Sequence, residues 1–267
     1  MAWDQLESVS YWAVFIATFL LVAVWETRHP NRDWIVPAGR RWTVHGILLT
    51  VSAFISGVIL GLTPVMAAVA ASGNSWGLLN RAWMPYWVRL VITLLVLDFV
   101  KYATHRWLHT VPLLWRIHRM HHADPDFDVS TAGRVHPVEF LFMQGAAIGV
   151  IVLLAAPPSA VLVAKLIACV FSFFEHANAS LPPRWEQRLR PWLVTPDLHR
   201  IHHSERPEEQ VRNLGEIFPW WDQVLGTYKP QPEGRLVVGL RGYQTIRSMG
   251  PEVLLTLPFR STREPEA

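Results

Sequence analysis

Five apolar runs, separated by short polar and basic segments, organise the first two thirds of the chain: 11–25, 44–71, 87–100, 138–156 and 160–174. A helix needs about 20 mostly apolar residues to cross a bilayer. The second run meets that length alone, and the others do with their flanks. The pattern predicts an all-α integral membrane protein with about five transmembrane or hairpin helices. Pro157 and Pro158 are expected to turn the last two runs into a hairpin. Residues 86–109 read as one long helix that leaves the bilayer, with Pro112 breaking it and a second short helix over 113–123. One or two further helical segments are expected within 183–204. Beyond Glu205 the chain becomes polar and rich in Pro and Gly, which predicts an irregular cap, and 251–259 is a short apolar stretch suited to a membrane surface. This gives three parts: N-terminal transmembrane helices (1–85), a central region (86–230) and a C-terminal tail (231–267).

Charge orients these spans. Arg28, Arg32, Arg40 and Arg41 follow the first run, and only Arg81 follows the second. Lys101, Arg106, Arg116 and Arg119 follow the third, and Arg184, Arg188, Arg190 and Arg200 follow the fifth. Basic residues favour cytoplasmic loops. The N-terminus is therefore expected outside, with the 26–42 loop and the C-terminal half in the cytoplasm. The start, MAWDQLES, lacks the basic segment of a cleaved signal peptide. Composition agrees with a membrane protein: 51% of residues are hydrophobic, 17% are charged, and there are 14 tryptophans, a residue favoured at bilayer interfaces. The single cysteine, Cys169, excludes a disulfide framework and a Cys-based metal site. No basic run is long enough for nucleic acid.

The candidate chemistry lies in the histidines. Eight of the twelve fall in three clusters: HRWLH (His105, His109), HRMHH (His118, His121, His122) and HRIHH (His199, His202, His203). Positions i, i+3 and i+4 share one face of a helix, so each cluster aims two or three imidazoles in one direction. Histidine is the commonest metal ligand, and these clusters offer more ligands than one ion uses. Two nitrogen-bound ions are expected, on the cytoplasmic side where the charge pattern places all three clusters. Nitrogen-rich sites suit iron, copper, nickel or zinc rather than magnesium or calcium. Beside apolar helices, such a site points to O2 chemistry on a hydrophobic, lipid-like substrate, with iron as the metal. Zinc is expected to substitute in purified protein, because it binds such sites more tightly than ferrous iron. Carboxylates that orient the ligands are expected among Asp98, Glu139, Glu175, Asp197 and Asp222. His29 and His45 stand alone and read as ordinary structural residues. A membrane zinc-binding or metal-transport protein is the alternative. Transporters hold their ligands near the bilayer midplane, whereas these fall at helix ends.

The order HRWLH, HRMHH, FEHAN (174–178) and HRIHH resembles the fatty acid hydroxylase superfamily, also called the sterol desaturase family. RVHPVE (134–139) and NLGEIFPWWDQVLGTY (213–228) extend the resemblance, which covers roughly residues 95–230. It implies an integral-membrane, non-haem di-iron enzyme that uses O2 and external electrons to hydroxylate or desaturate lipids. It also implies metal ligation by the eight clustered histidines and by His176. Some relatives carry a further histidine four residues before that position, where this chain has Ser172. Two roles remain open for His136: it replaces the missing ligand, or it supports the ligands from outside. The first box is HxxxH where some relatives have HxxxxH. An acyl desaturase is a nearer rival, disfavoured by the short spacing between the first two boxes. The chain has no haem motif, flavin fingerprint or iron–sulfur cysteine set. Electrons are therefore expected from a ferredoxin, rubredoxin or cytochrome b5-like partner, for which Arg184, Arg188 and Arg190 offer a basic docking patch.

Overall fold

The computed structural model describes residues 2–73, 76–80, 83–243, 250, 254 and 256–260. Arg81, most of 251–255 and the last residues of the tail lie outside the described residues. So does much of the stretch read above as suited to a membrane surface. Among the described residues the chain is helical, with a single isolated bridge, Ser204 to Val238. The helices are α1 (Trp3–Arg28), α2 (Ala38–Leu60), α3 (Pro64–Ser72), α4 (Tyr86–Thr110), α5 (Pro112–His122), α6 (Pro137–Leu154), α7 (Pro158–Glu175), α8 (Pro183–Leu189), α9 (Pro196–His202), α10 (Pro207–Gln210) and α11 (Trp220–Leu225).

Proline opens most of these helices, because its missing N–H costs nothing in the first turn. Pro112 both ends the direction of α4 and starts α5. The 44–71 run divides where Gly61, at φ +69°, ends α2 in the left-handed conformation. The Thr63 side chain then caps the Met66 N–H to begin α3.

Four segments are long and apolar enough to cross a membrane: Trp3–Arg28, Ala38–Ser72, Pro137–Leu154 and Pro158–Glu175. The protein is a multi-pass membrane protein. The expected fifth, 87–100, falls inside α4 and is not among them. This helix is long enough, but Arg89, Asp98 and Lys101 interrupt it. It packs among α5, α6 and α7 instead of presenting an unbroken apolar surface. Around it, α1 lies on α7 and α2 on α6, so the N-terminal helices build the same bundle as the central region. Leu21, Phe54, Val58 and Leu153 stay exposed on the outer helices, as lipid-facing residues must. Trp83, Trp87, Trp107 and Trp192 are exposed near helix ends.

One end of the bundle is closed by three loops. Asn31 N–H donates to the Asn178 carbonyl at 2.9 Å. Backbone N–H groups of Ile35 and Val36 donate to Asp126 at 2.6 and 2.8 Å. The buried carboxylate of Glu26, in the last turn of α1, accepts from Val129 N and Asn178 N, each at 3.0 Å. The loops after α1, α5 and α7 therefore share one face, as the charge pattern requires.

Candidate metal centre

Nine buried imidazoles converge at that end. His105 and His109 of α4, His118 and His122 of α5 and His202 of α9 form one group. His121, His176, His199 and His203 form the other. Within each group the ligating atoms lie within 4.8 Å of one another. The division follows from helix angles. At about 100° per residue, i and i+4 lie about 40° apart, while i+3 falls about 60° to the other side of i. In α5, His118 and His122 go together and His121 goes to the other group. At α9 and its C-cap, His199 and His203 go together and His202 crosses over. Each HRxHH box thus serves both groups. The His122 and His203 rings stack at 4.5 Å where the two groups meet.

Backbone and carboxylate groups aim the rings. His105 Nδ1 donates to the Leu214 carbonyl at 2.9 Å, His202 Nδ1 to Arg212 at 2.9 Å and His176 Nδ1 to Ser172 at 2.7 Å. His118 Nδ1 donates to Glu139 Oε1 at 2.8 Å. Their other nitrogens face one another. Nε2 of His105, His109, His118, His202 and His203, and both nitrogens of His122, are buried without a hydrogen-bond partner. Orphaned buried nitrogens are costly unless something binds them. His176 Nε2 lies 3.2 Å from both His121 Nε2 and His199 Nε2. Ligands about 2.0–2.1 Å from one metal ion sit roughly 3 Å from each other. The donor set fits two nitrogen-bound ions, and five imidazoles in one group exceed the four of a structural zinc.

Burial, reinforced by neighbouring imidazoles, pushes His121, His122, His199 and His203 well below the ordinary histidine value, and His202 down to about 3. They are neutral at pH 7, as ligands must be. The unfolded chain takes up protons as pH falls through about 6.5, while the folded one resists. Metal-free protein should therefore lose stability from about pH 6.5 downward, by up to about 1.4 kcal/mol per pH unit for each such histidine. Thermal unfolding of metal-free protein across this range measures it, and a flat profile contradicts the burial.

The five carboxylates separate into distinct roles. Glu139 touches a histidine directly. Glu139→Gln should weaken metal binding roughly 10- to 100-fold with the fold retained, read by competition with a chelator. Glu175 lies 3.7 Å from His176 Nδ1 and from His199 Nδ1, which places it beside the second group. Asp222 acts one step removed: it accepts from Leu214 N at 2.8 Å and Gly215 N at 2.9 Å, fixing the carbonyl that holds His105. A side chain at Gly215 would meet the Phe218 carbonyl at 2.7 Å, so the turn admits only glycine. Asp98 and Asp197 make no contact with a histidine among the described residues. Asp98 receives Ile217 N at 3.1 Å and Trp221 Nε1 at 2.8 Å, tying α4 to the 213–222 segment. Asp197 pairs with Arg200 at 2.5 Å and accepts from Ser180 at 2.6 Å, because it faces the loop after α7. His136 lies outside both groups, and its Nδ1 accepts from Val138 N at 3.2 Å as the N-cap of α6.

Several supporting residues carried no local signal. Arg41, read above as a loop charge, is fully buried. Its Nε donates to Asp128 at 2.9 Å, its Nη2 to Asp124 at 2.8 Å, and its Nη1 reaches Asp126 at 3.4 Å. Burial pushes the Asp124 carboxyl up, but Arg41 prevails and holds it well below the usual range. Arg134 donates to the Met120 and Ala123 carbonyls at 2.6 and 3.0 Å, closing the end of α5. Its own carbonyl accepts from His121 Nδ1 at 3.3 Å. His45 is structural as expected, with Nε2 3.2 Å from Arg134 and Nδ1 2.8 Å from Ser130. Phe127, at φ +59°, sets its ring 4.8 Å from His203.

An apolar cavity of about 290 Å³ opens on this centre from the bundle interior. His105, His118, His121, His176 and His199 form its polar end, and Leu97, Phe140, Ile151 and Val161 line its length.

Comparison with known proteins agrees with this geometry. The family model described as fatty acid hydroxylase matches residues 90–227. The chain is 27% identical to ornithine lipid hydroxylase OlsE of Rhizobium tropici over 227 residues, 82% of this chain and 67% of that protein. It is 28% identical to the alkylglycerol monooxygenase of Homo sapiens over 173 residues, 62% of this chain and 36% of that one. A methylsterol monooxygenase of Aspergillus fumigatus is 27% identical over 150 residues, 54% of this chain and 49% of that one. No solved structure matches. The matched region contains every clustered imidazole and the segment that orients them, and it covers more than half of the sequence: the chain belongs to the fatty acid hydroxylase family.

Proposed function

We propose that this protein is a membrane-bound, non-haem di-iron oxygenase that uses O2 and external electrons to hydroxylate or desaturate a lipid. One observation carries the reading: nine buried imidazoles in two adjoining groups, open on one side to an apolar cavity inside the bundle. Iron bound there would supply the O2-dependent oxidation of a C–H bond. The chain's own part is to bind, orient and exclude. His105, His109, His118, His122 and His202 would hold one ion, and His121, His176, His199 and His203 the other. Glu139 and the carbonyls of Leu214, Arg212 and Ser172 keep the imidazoles in one orientation. The apolar lining admits an alkyl chain and keeps water away from the reacting carbon.

Basic loops mark this end as cytoplasmic, where a soluble donor can reach it. Arg184 and Arg188 stay exposed about the Trp185 ring and suit an acidic ferredoxin, rubredoxin or cytochrome b5-like surface. Arg190 does not join them, being held by Glu186 at 2.6 Å. Metal transport is not supported: all nine imidazoles lie at one end of the bundle, and the relatives are hydroxylases and monooxygenases.

The test is metal analysis and Mössbauer spectroscopy on protein from iron-enriched cells, before and after reduction and O2 exposure. Products are then sought from ornithine lipids, alkylglycerols and methylsterols. Two coupled irons per chain that O2 oxidises are expected. Iron indifferent to O2 overturns the reading.

A further inference from the structure

Two ion pairs touch the cavity, and they differ. At the end away from the histidines, Lys165 Nζ donates to Glu7 Oε1 at 2.6 Å, and Thr63 donates to Glu7 Oε2 at 2.5 Å. The Lys165 ammonium also lies 4.6 Å from the centre of the Tyr11 ring. Those groups are mutually satisfied. At the histidine end, Lys101 Nζ lies 3.2 Å from Glu216 Oε1, its one ion-pair partner among the described residues. Lys101 keeps 38% of its side chain accessible. Lys101 and Glu216 both line the cavity. An ammonium carries three donors, so one carboxylate leaves donors unspent at the cavity wall. Such donors favour an occupant that accepts them.

The position is fixed from two directions. Lys101 precedes His105 by one turn of α4 and shares its face, about 6 Å away along the axis. Glu216 follows by two residues the Leu214 carbonyl that holds His105 Nδ1. Beyond the pair, the apolar bore runs past Leu97 and Phe140 to Ile151 and Val161.

We propose that Lys101 is the specificity-determining residue of this cavity: its ammonium donates to the carbonyl oxygen of a lipid's ester, amide or carboxyl group and seats that group beside the metal centre. The alkyl chain then lies along the bore with its end remote from the histidines. Oxidation falls on carbons near the carbonyl and not at the chain terminus. Glu216 is a positioning residue that holds the ammonium at the cavity wall. The inference deepens the lipid-oxygenase reading and rests on it, but it is tested separately.

The experiment uses the full chain in detergent, loaded with redox-inert zinc. Binding of radiolabelled methyl palmitate and hexadecane is compared after subtraction of detergent micelles alone. A charge-assisted hydrogen bond predicts a preference for the ester of roughly tenfold or more. Lys101→Met should reduce it to about twofold or less, and Lys101→Arg should keep most of it. Equal binding of the two probes by the unaltered protein, no binding of either, or an undiminished preference in Lys101→Met overturns the proposal. Lys101→Gln provides a second variant if Lys101→Met does not fold. In iron-loaded enzyme, mass spectrometry should find oxidised positions near the carbonyl and their spread toward the chain end in Lys101→Met. An ester preference in zinc protein without any oxidation by iron protein would leave the subsite standing and overturn the oxygenase reading instead.

Discussion

Replacing His202 by alanine should abolish lipid oxidation and lower bound metal from two ions per chain toward one, with the helical content unchanged. His202 donates through Nδ1 to the Arg212 carbonyl, and its buried Nε2 has no protein partner. Its ring lies 4.6 Å from His109 and 4.6 Å from His122, at the middle of the first group. Removing it takes away one donor and leaves a void into which water can enter. His121→Ala should produce the same loss from the second group, where His121 Nε2 is 3.2 Å from His176 Nε2. The two variants together distinguish a dimetal centre from a single site. Each should strip a different ion, and either one alone should stop catalysis if both ions act together. Inductively coupled plasma analysis and product assay read both outcomes, with exposed His29→Ala as the unaffected control. Full activity in His121→Ala or His202→Ala contradicts the assignment.

Arg41→Met should be among the most destabilising single changes in the chain, on the order of 3–5 kcal/mol, because it strands buried carboxylates. Arg41 serves Asp124, Asp126 and Asp128 at once, and its Nη2 also reaches Thr131 at 3.3 Å. All of these lie in the loop that follows HRMHH, whose backbone leads to the Arg134 carbonyl beside His121. Arg41→Lys should also fail, since a single ammonium cannot match a planar fork to several carboxylates. The expected result is aggregation or a large fall in thermal midpoint in detergent, together with loss of metal. An Arg41→Met protein with the unaltered midpoint would show that this network is dispensable.

The imidazoles were legible because their chemistry and their spacing reinforce each other. Three helical clusters and FEHAN name nine histidines, and the structure gathers the same nine. The carboxylates were less legible. Glu139, Glu175 and Asp222 lie beside the centre or one bond removed from it, whereas Asp98 anchors the 213–222 segment farther along and Asp197 faces the loop after α7. Nearness in sequence to a histidine does not say which way a side chain points. His136 shows the same limit, since the proline after it makes it a helix cap. The apolar run in α4 is shorter than the four candidate spans, because Arg89, Asp98 and Lys101 interrupt it.

What the sequence determined by itself was the helical class, the apolar spans, the clustering of the histidines, and the ligand type. Those follow from local period and residue chemistry. Only the tertiary structure decided how the imidazoles divide. The i and i+4 members of each HRxHH box turn to one group and the i+3 member to the other, as α5 and α9 bring their imidazoles together. Tertiary structure also made Arg41 a buried tie and not a loop charge, and it placed Lys101 against the cavity. In each case the decisive partner lies many residues away, such as Asp124 for Arg41 and Glu216 for Lys101. A pairing of that range is set by packing, which no local pattern encodes.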